Sequence, residues 1–300
     1  MYKVSQIWFL YAVSPVHMGA GNAVGELVDS PIQREKHTGY PVLPASGLKG
    51  ALRHWAQGKV EGEMSDSSML TALFGSPPDA REGDNADLAA GALSLTDGVL
   101  VAFPVRTLTG AFCYITSPMA LARVVRLLSG AGIQPPALPV LKDKPMAGSA
   151  GMRVLETLSY NCDASATLAE LAAWIAERAL PADDAYAFFR NKLAEDMVLL
   201  PDEDFNHFVS SSTSIEPHVR INNTTGTAED GGLFYVENAP PECLFLSHTL
   251  FSDERRNTDH ALKADELADK FSADVDGQLV QVGGDATYGR GQMVLTRVEA

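Results

Sequence analysis

Apolar and polar positions along the chain form blocks that predict strands and helices in mixed order. The uniformly apolar run IWFLYAV, residues 7–13, indicates a buried strand. Within residues 45–59 the apolar side chains recur at helical spacing, which predicts an amphipathic helix. Residues 99–116 predict two strands joined near Gly110. A second helix is predicted at 117–132, where Ser-Pro begins it and glycine ends it.

The second half of the chain predicts several more elements. These are helices at 168–180, 182–196 and 260–273, strands and hairpins over 197–250, and two strands around a glycine loop at 283–291. Residues 133–160 are predicted to be irregular. The acidic stretch 61–98 is predicted to be an inserted surface segment with one short helix near 67–74. Helices interleaved with mainly antiparallel strands favour an α+β fold of the ferredoxin-like kind.

Length and composition restrict the kind of protein this can be. With 300 residues, 46% of them hydrophobic, the chain can bury a core without disulfide or metal support. Its three cysteines are widely spaced and form no zinc-binding pattern, which favours a reducing cytoplasm. The apolar run at 7–13 is too short to span a membrane. We therefore expect a cytoplasmic protein with no membrane partner.

The charge distribution says more than the net charge of −15. A nucleic-acid-binding protein usually has a basic surface, which the net charge opposes. However, residues 1–60 contain six Lys and Arg against three Asp and Glu, whereas residues 61–100 contain one against eight. Alternating blocks would allow one basic face that accepts a polyanion. An acidic cytosolic enzyme with chance clustering of charge explains the same numbers.

The segment HMGAGNAVG, residues 17–25, has the glycine spacing of a dinucleotide-binding loop. That loop must open a helix whose N-terminus faces the pyrophosphate. Here the next predicted helix begins near Ala45, beyond three prolines. The pattern therefore favours a flexible loop that another backbone approaches closely. A nucleotide-binding oxidoreductase is the alternative function that the glycine spacing suggests.

The stretch from Val28 to Arg53 concentrates cationic side chains around one acid. The cations are Arg34, Lys36, His37, Lys49 and Arg53. Lys49 and Arg53 lie one helical turn apart, and we expect them on the exposed side of their helix, facing RNA phosphates. Asp29 lies in a proline-bounded loop before them. Its residue type and neighbours alone favour a structural ion pair over a catalytic role.

The glycine-rich segment VGGDATYGRG, residues 282–291, lies between two predicted strands and lacks the Lys-Ser/Thr of a Walker A loop. It could place backbone amides and one charge against a phosphate backbone, or it could be a simple hairpin turn. The candidate RNA-binding residues are Gly283, Gly284, Gly289, Arg290 and Gly291. Residues 220–241 predict either a protruding hairpin or a plain surface loop.

Four segments in this order resemble the RAMP superfamily of CRISPR proteins, and within it the backbone subunits of type III-B (Cmr) RNA-targeting complexes. They are DSPIQREKHTGYPVLPASGLKGALR, FPVRTLTGAFCYITSP, VRINNTTGTAEDGGLFYVE and GGDATYGRG. The resemblance implies a single RAMP domain over 1–300, with an RRM-like core, inserted lid or fingers, and a thumb-like hairpin region at 197–250. It also implies four kinds of partner: a guide CRISPR RNA, a target RNA, further copies of the chain, and other subunits.

The resemblance further implies a metal-dependent endoribonuclease that cuts target RNA at regular intervals beside each thumb hairpin. The family's catalytic aspartate matches Asp29, which would act as a base or hold Mg²⁺ or Mn²⁺. Attack by the 2′-hydroxyl would leave a 2′,3′-cyclic phosphate. His17 matches a family position near the site, and both a catalytic role and a hydrogen-bonded loop histidine stay open. The alternative function is a non-catalytic guide-RNA scaffold.

Overall fold

The computed structural model describes residues 2–21, 28–59, 61–77, 89–256 and 260–299. Helices in these ranges are α1 Ala45–Gln57, α2 Ser67–Phe74, α3 Pro118–Gly130, α4 Ala166–Ala179, α5 Ala187–Glu195, α6 Asp202–Ser211 and α7 Ala264–Val275. Strands in the first half are β1 Val4–Ala12, β2 Val42–Leu43, β3 Leu93–Leu95, β4 Gly98–Arg106, β5 Phe112–Thr116 and β6 Met146–Ala147. The later strands are β7 Gly151–Leu155, β8 Leu158–Ala164, β9 Met197–Leu199, β10 Ser214–Ile221, β11 Ala228–Asn238, β12 Leu244–Phe251, β13 Gln278–Gln281 and β14 Gln292–Val298.

Most of the described strands form one mixed sheet in the order β13-β14-β1-β12-β4-β5-β9-β6-β8-β7, with β2 beside β4 and β3 beside β12. Strands β10 and β11 form a separate antiparallel pair, the hairpin. In the main sheet, β14, β1, β12 and β4 are consecutive, and each is antiparallel to its neighbour. Helix α1 follows β1 in the chain, and α7 follows β12. The α+β class is thus confirmed.

Strand β1 shows why its sequence is uniformly apolar. Trp8 and Leu10 belong to the hydrophobic core that also contains apolar residues of α1, α2 and α7. Ile7 and Phe9 belong to a second core with residues of α3 and α4. Because helices cover both faces of the sheet, alternate side chains of β1 are buried on opposite sides, and no position of its central run is left for a polar residue.

The sequence pattern located most elements correctly. The predicted helices over 45–59, 67–74 and 117–132 are α1, α2 and α3, and the strand pair in 99–116 is β4 and β5. The side chain of Ser117 accepts a hydrogen bond from the Ala120 amide at the start of α3, as expected for an N-cap. Local signals of capping and periodicity were sufficient for these elements.

The structure differs from the prediction for residues 133–160 and for residues 197–250. Residues 133–160 are not wholly irregular, because β6, β7 and the start of β8 lie there. The range 197–250 also contains α6, whose three acidic residues in the first turn favour a helix N-terminus. The hairpin itself covers Ser214 to Asn238. Of the predicted acidic insertion at 61–98, residues 78–88 lie outside the described ranges.

None of the helices in the described part of the chain has the length and apolar character needed to cross a membrane.

Candidate active site

Asp29 lies where the loop after β1 joins the hairpin. Its backbone amide donates to Tyr235 O at 3.1 Å, and the Tyr235 amide donates to its carboxylate oxygen Oδ2 at 2.7 Å. One residue on, Ser30 forms a parallel bridge with Val236. The loop is thus held against β11 like a short extra strand. The Asp29 side chain is exposed, and no described residue donates to its other oxygen, Oδ1.

His17 lies beneath the same loop and is 8% exposed. Its Nδ1 is 2.7 Å from the carbonyl oxygen of Glu237, which can only accept, so Nδ1 carries the proton. In the neutral ring, Nε2 then holds the lone pair and accepts from Ser30 Oγ at 3.2 Å. The structure therefore presents the acceptor nitrogen of His17 toward the residue that follows Asp29.

An ion pair between partly buried Arg34 and buried Glu237 fixes the loop that carries Asp29. Glu237 is 7% exposed, and its Oε1 lies 2.5 Å from Arg34 Nη2 and 2.8 Å from Thr213 Oγ1. The amide of Ile32 donates to Oε2 at 3.0 Å. Arg34 also donates to two backbone carbonyls. The guanidinium of Arg34 is therefore committed to the protein interior, which does not support its predicted contact with RNA.

The glycine-rich loop packs against the segment that holds His17. The amide of Gly284 donates to His17 O at 2.8 Å, and the amide of Gly291 donates to Pro15 O at 2.7 Å. Gly283 has φ +86°, and a Cβ there would lie 2.4 Å from His17 O. The loop backbone therefore approaches the backbone of the His17 segment closely, and the approach of an RNA backbone to this loop stays a prediction. Gly289 has φ +75°, whereas Gly284 would tolerate a Cβ in ordinary contact.

Arg290 is oriented differently from its prediction. The side chain is 5% exposed, and its guanidinium forms a two-pronged ion pair with the Glu216 carboxylate of β10, with Nη1 3.0 Å from Oε1. Asp285 Oδ2 lies 4.0 Å from its Nε. The expectation that Arg290 adds an available charge for a phosphate is therefore corrected. Its charge is neutralised by Glu216, and the pair ties the glycine loop to the hairpin.

Lys36 and His37 lie on an exposed turn near α3. Arg123 of α3 donates to Glu35 Oε2 at 2.7 Å and lies 3.0 Å from His37 Nε2. Lys36 is exposed. Of the predicted basic residues, Lys36 is thus the one whose charge the structure leaves toward solvent, and His37 borders an existing Arg–Glu pair.

Lys49 and Arg53 are placed on α1 as predicted, but not on an exposed face. Both are half-buried, and their side chains donate to backbone carbonyls of Leu93 at 2.7 Å and Ser76 at 3.2 Å. Burial lowers the pKa of Lys49. The expectation of full exposure is wrong, because neighbouring segments near β3 and α2 cover this side of the helix. Their contact with RNA stays a prediction.

The structure thus divides the predicted site residues into groups. Asp29, His17 and the glycine loop meet at the base of the hairpin, where Arg34 and Arg290 hold the parts together. The remaining predicted basic residues lie elsewhere: His37 lies beside Arg123 of α3, and Lys49 and Arg53 donate to carbonyls near β3 and α2.

Sequence reasoning missed Ser30, Tyr235 and Glu237. The signal for Glu237 was an acid at the end of the largely apolar stretch LFYVEN, since a buried carboxylate requires a cation such as Arg34.

Comparisons with known proteins agree on one family. A family model described as the RAMP superfamily matches residues 9–294. The chain is 34% identical, over 97% of its length and 94% of the relative's, to the Pyrococcus furiosus protein named CRISPR system Cmr endoribonuclease Cmr4. It is 25% identical, over 97% of its length and 95% of the relative's, to CRISPR system CMR subunit Cmr4 of Saccharolobus solfataricus.

Solved structures give the same answer. A crystal structure of oligomeric Cmr4 from Pyrococcus furiosus aligns over 99% of both chains with a TM-score of 0.72 and 26% identity. A cryo-EM structure of a type III-B Cmr-beta complex bound to cognate target RNA contains a chain with the same fold, at a TM-score of 0.73 and 18% identity, covering 99% of this chain and 98% of that one. The chain belongs to the RAMP superfamily, in the same family as the Cmr4 proteins of CRISPR systems.

Proposed function

We propose that this chain is a guide-RNA-binding backbone subunit of a type III-B CRISPR ribonucleoprotein and an endoribonuclease that cuts the target RNA paired to the guide. The observation that carries the proposal is the exposed Asp29 carboxylate, fixed through Tyr235 at the base of the hairpin and beside the Ser30–His17 pair. The name of the Pyrococcus furiosus relative, an endoribonuclease, supports the activity.

The proposed reaction uses the RNA's own 2′-hydroxyl. Its oxygen forms a bond to the adjacent phosphorus, and the bond from phosphorus to the 5′-oxygen breaks, giving a 2′,3′-cyclic phosphate and a 5′-hydroxyl. The proton of the 2′-hydroxyl passes to a base, and the leaving 5′-oxygen takes up a proton. Asp29 is the proposed base because its side chain is exposed and its carboxylate is held in place through Oδ2 by the Tyr235 amide.

His17 has a narrower proposed role. Its Nε2 accepts from Ser30 Oγ, and a Cβ at position 19 would lie 2.9 Å from that nitrogen, so Gly19 leaves the room that the ring needs. The ring is buried, so direct contact with a phosphate would require the Ser30 hydroxyl to rotate away. We therefore propose that His17 positions the Asp29–Ser30 backbone, and that it is a base only if Ser30 releases Nε2.

A divalent metal is compatible with these residues in a limited way. Among the described residues, no cluster of three or more His, Cys, Asp or Glu side chains could hold a metal ion. A single exposed carboxylate suits Mg²⁺ or Mn²⁺ that keeps most of its water ligands. We propose that Asp29 would hold such an ion, which would supply charge stabilisation at the phosphorus when bound.

The RNA path is proposed along the glycine loop together with Lys36, Lys49 and Arg53, although the amides of Gly284, Gly289 and Gly291 already donate to carbonyls of the chain itself. The exposed charge of Lys36 could pair with a phosphate directly, whereas Lys49 and Arg53 would have to exchange a carbonyl partner for one. Further copies of the chain and other subunits of the complex are proposed partners, in the cytoplasm. The Pyrococcus furiosus Cmr4 of the crystal structure is described as oligomeric, which supports self-association.

The finer fold assignment is also a proposal. Four antiparallel strands in the order β14-β1-β12-β4, connected through α1 and α7, have the chain order of a β-α-β-β-α-β unit. This supports an RRM-like core in which residues 107–243, between β4 and β12, are an insertion that includes the thumb-like hairpin.

The experiment that tests the function is a cleavage assay of the complex assembled with guide RNA. Target RNA paired to the guide should be cut at regular intervals in the presence of Mg²⁺, and a 2′-deoxy nucleotide at a cut site should block that cut alone. Binding of the target without any cut would instead support the non-catalytic scaffold. Cutting that is insensitive to the deoxy nucleotide would show that water is the nucleophile.

A further inference from the structure

A cleft of about 590 Å³ opens between the turn at residues 37–40, the start of α3 and the first two turns of α6. Asp202 and Glu203 line it from α6, together with the imidazole of His207, and Tyr40 and His37 line it from the turn. No described lysine or arginine lines this cleft. Its lining is therefore rich in hydrogen-bond acceptors and contains no permanent positive charge.

The two carboxylates of the cleft are not neutralised by the described part of the chain. Asp202 Oδ1 accepts a hydrogen bond from the Met119 amide at 3.0 Å, and neither Asp202 nor Glu203 forms an ion pair with a described residue. Glu203 is exposed. The cleft thus holds two negative charges that a cation from outside the chain can balance.

The arginine that borders the cleft has other partners. Arg123 of α3 donates to Glu35 Oε2 at 2.7 Å, and its Nη2 lies 3.0 Å from His37 Nε2. Because a guanidinium can only donate, His37 Nε2 is the acceptor and the His37 ring is uncharged. Neither side chain therefore compensates the carboxylates of α6.

Tyr40 supplies a buried hydroxyl that has no partner among the described residues. The residue is 1% exposed, and its hydroxyl oxygen forms no hydrogen bond within the described part of the chain. Its ring packs edge-on against Phe205, with centroids 5.0 Å apart. Burial, and after it the nearby Asp202 carboxylate, raises the pKa of Tyr40, so the hydroxyl stays protonated. A buried hydroxyl without a partner is costly, which favours a ligand that bonds it.

We propose that this cleft binds an aliphatic ammonium ligand of the diamine or polyamine class. An ammonium group has N–H donors and no acceptor, which matches the Asp202 and Glu203 carboxylates and the Tyr40 oxygen. The methylene chain of the ligand would pack against Met119, which also lines the cleft. A metal ion is less suited, because no cluster of three ligating side chains occurs among the described residues. The site is separate from Asp29 and goes beyond the proposed RNA cleavage.

The test is isothermal titration calorimetry of the RNA-free, full-length chain with putrescine. The second ligand is the fully N-methylated, bis-quaternary analogue of putrescine, which has the same charge but no N–H donor. The wild type should bind the analogue at least about tenfold more weakly than putrescine, the usual scale for lost hydrogen bonds to a charged group. Tyr40→Phe should weaken putrescine binding about tenfold and leave the affinity for the analogue unchanged, because it removes a hydroxyl and no charge.

Two further variants separate the cleft from the general acidity of the chain. Glu203→Gln should weaken the binding of both ligands. The matched control is Asp265→Asn, which removes an equally exposed carboxylate from the first turn of α7 and should change neither affinity.

Four results would overturn the proposal. They are no binding of putrescine by the wild type, equal wild-type affinity for the two ligands, unchanged putrescine affinity in Tyr40→Phe, and equal losses in Glu203→Gln and Asp265→Asn. The second and fourth would show only a general attraction between an acidic chain and dications. Since the titrations contain no RNA, none of these results would bear on the proposed nuclease site.

Discussion

Buried Arg290 and half-exposed Glu216 form a two-pronged ion pair that links the C-terminal glycine loop to the first strand of the hairpin. The two residues are 74 positions apart in the chain. Their pairing fixes the angle of the hairpin relative to the loop that packs on His17. The hairpin in turn holds Asp29 through Tyr235. The ion pair therefore supports the geometry of the proposed active site without being part of it.

Replacing Arg290 with Lys should loosen the hairpin. Lysine keeps the charge but cannot make two parallel hydrogen bonds with a carboxylate, and loss of a charged hydrogen bond costs about 1–3 kcal/mol. We expect faster amide hydrogen exchange in β10 and β11 and a lower melting temperature. The control is Arg220→Lys, because Arg220 pairs with Glu229 at 3.8 Å on an exposed part of the hairpin. Equal exchange in the two variants would contradict the proposed tie.

Replacing Lys49 and Arg53 together with Ala should weaken RNA binding equally for all sequences. Loss of two phosphate contacts should flatten the dependence of log affinity on log salt by about one to two units of slope. The measurement is a salt titration of guide-RNA binding. Lys142 and Lys144 are exposed lysines in the loop between α3 and β6, and their double Ala variant is the control. An unchanged slope in the Lys49 and Arg53 variant would show that their carbonyl contacts are purely structural.

Gly289 tests the role of the glycine loop in retaining RNA. It has φ +75°, and a Cβ there meets nothing within 4 Å, so Gly289→Val should strain the backbone without a steric clash inside the protein. We expect a folded protein that fails to retain guide RNA on purification. Gly277, with φ +71° and equally open surroundings, is the matched control. Retention of RNA by Gly289→Val at the level of Gly277→Val would make the loop an ordinary turn.

Glu242 should make stability depend on pH. It adopts φ +73° at the turn before β12, and burial raises its pKa to about 7, from 4.5 in the unfolded chain. Between pH 4.5 and about 7, the folded state keeps a proton on Glu242 that the unfolded state has lost. The free energy of unfolding therefore falls as the pH rises through this range, and it levels off above about pH 7. Glu242→Gln should flatten this profile in chemical denaturation. Exposed Glu203→Gln is the control, and parallel profiles for Glu242→Gln and the wild type would refute the assignment.

Elements that depend on local pattern could be predicted from the sequence, whereas partners at long range could not. Helix α3 follows from its Ser-Pro start and its periodic apolar residues. The partner of Arg34 could not be predicted, because Glu237 is 203 residues away in the chain. Either an RNA phosphate or a protein carboxylate would suit the charge of Arg34. Asp29 was found by resemblance to a family, since its local sequence alone favours a structural ion pair. Helix α6 was missed because its sequence has few apolar residues outside the buried Phe205, Phe208 and Val209.

The cleavage rate of Asp29→Asn in the assembled complex decides whether the Asp29 carboxylate is catalytic. The amide oxygen of Asn can still accept the Tyr235 hydrogen bond, so folding, assembly and target binding should be retained. Loss of basicity and charge should slow cleavage at least about a hundredfold. Asp97→Asn is the matched control, because exposed Asp97 also accepts a backbone amide, that of Ala45 at 2.8 Å, and should cut normally. Cleavage by Asp29→Asn at the wild-type rate would show that Asp29 is structural and would contradict the proposed nuclease site.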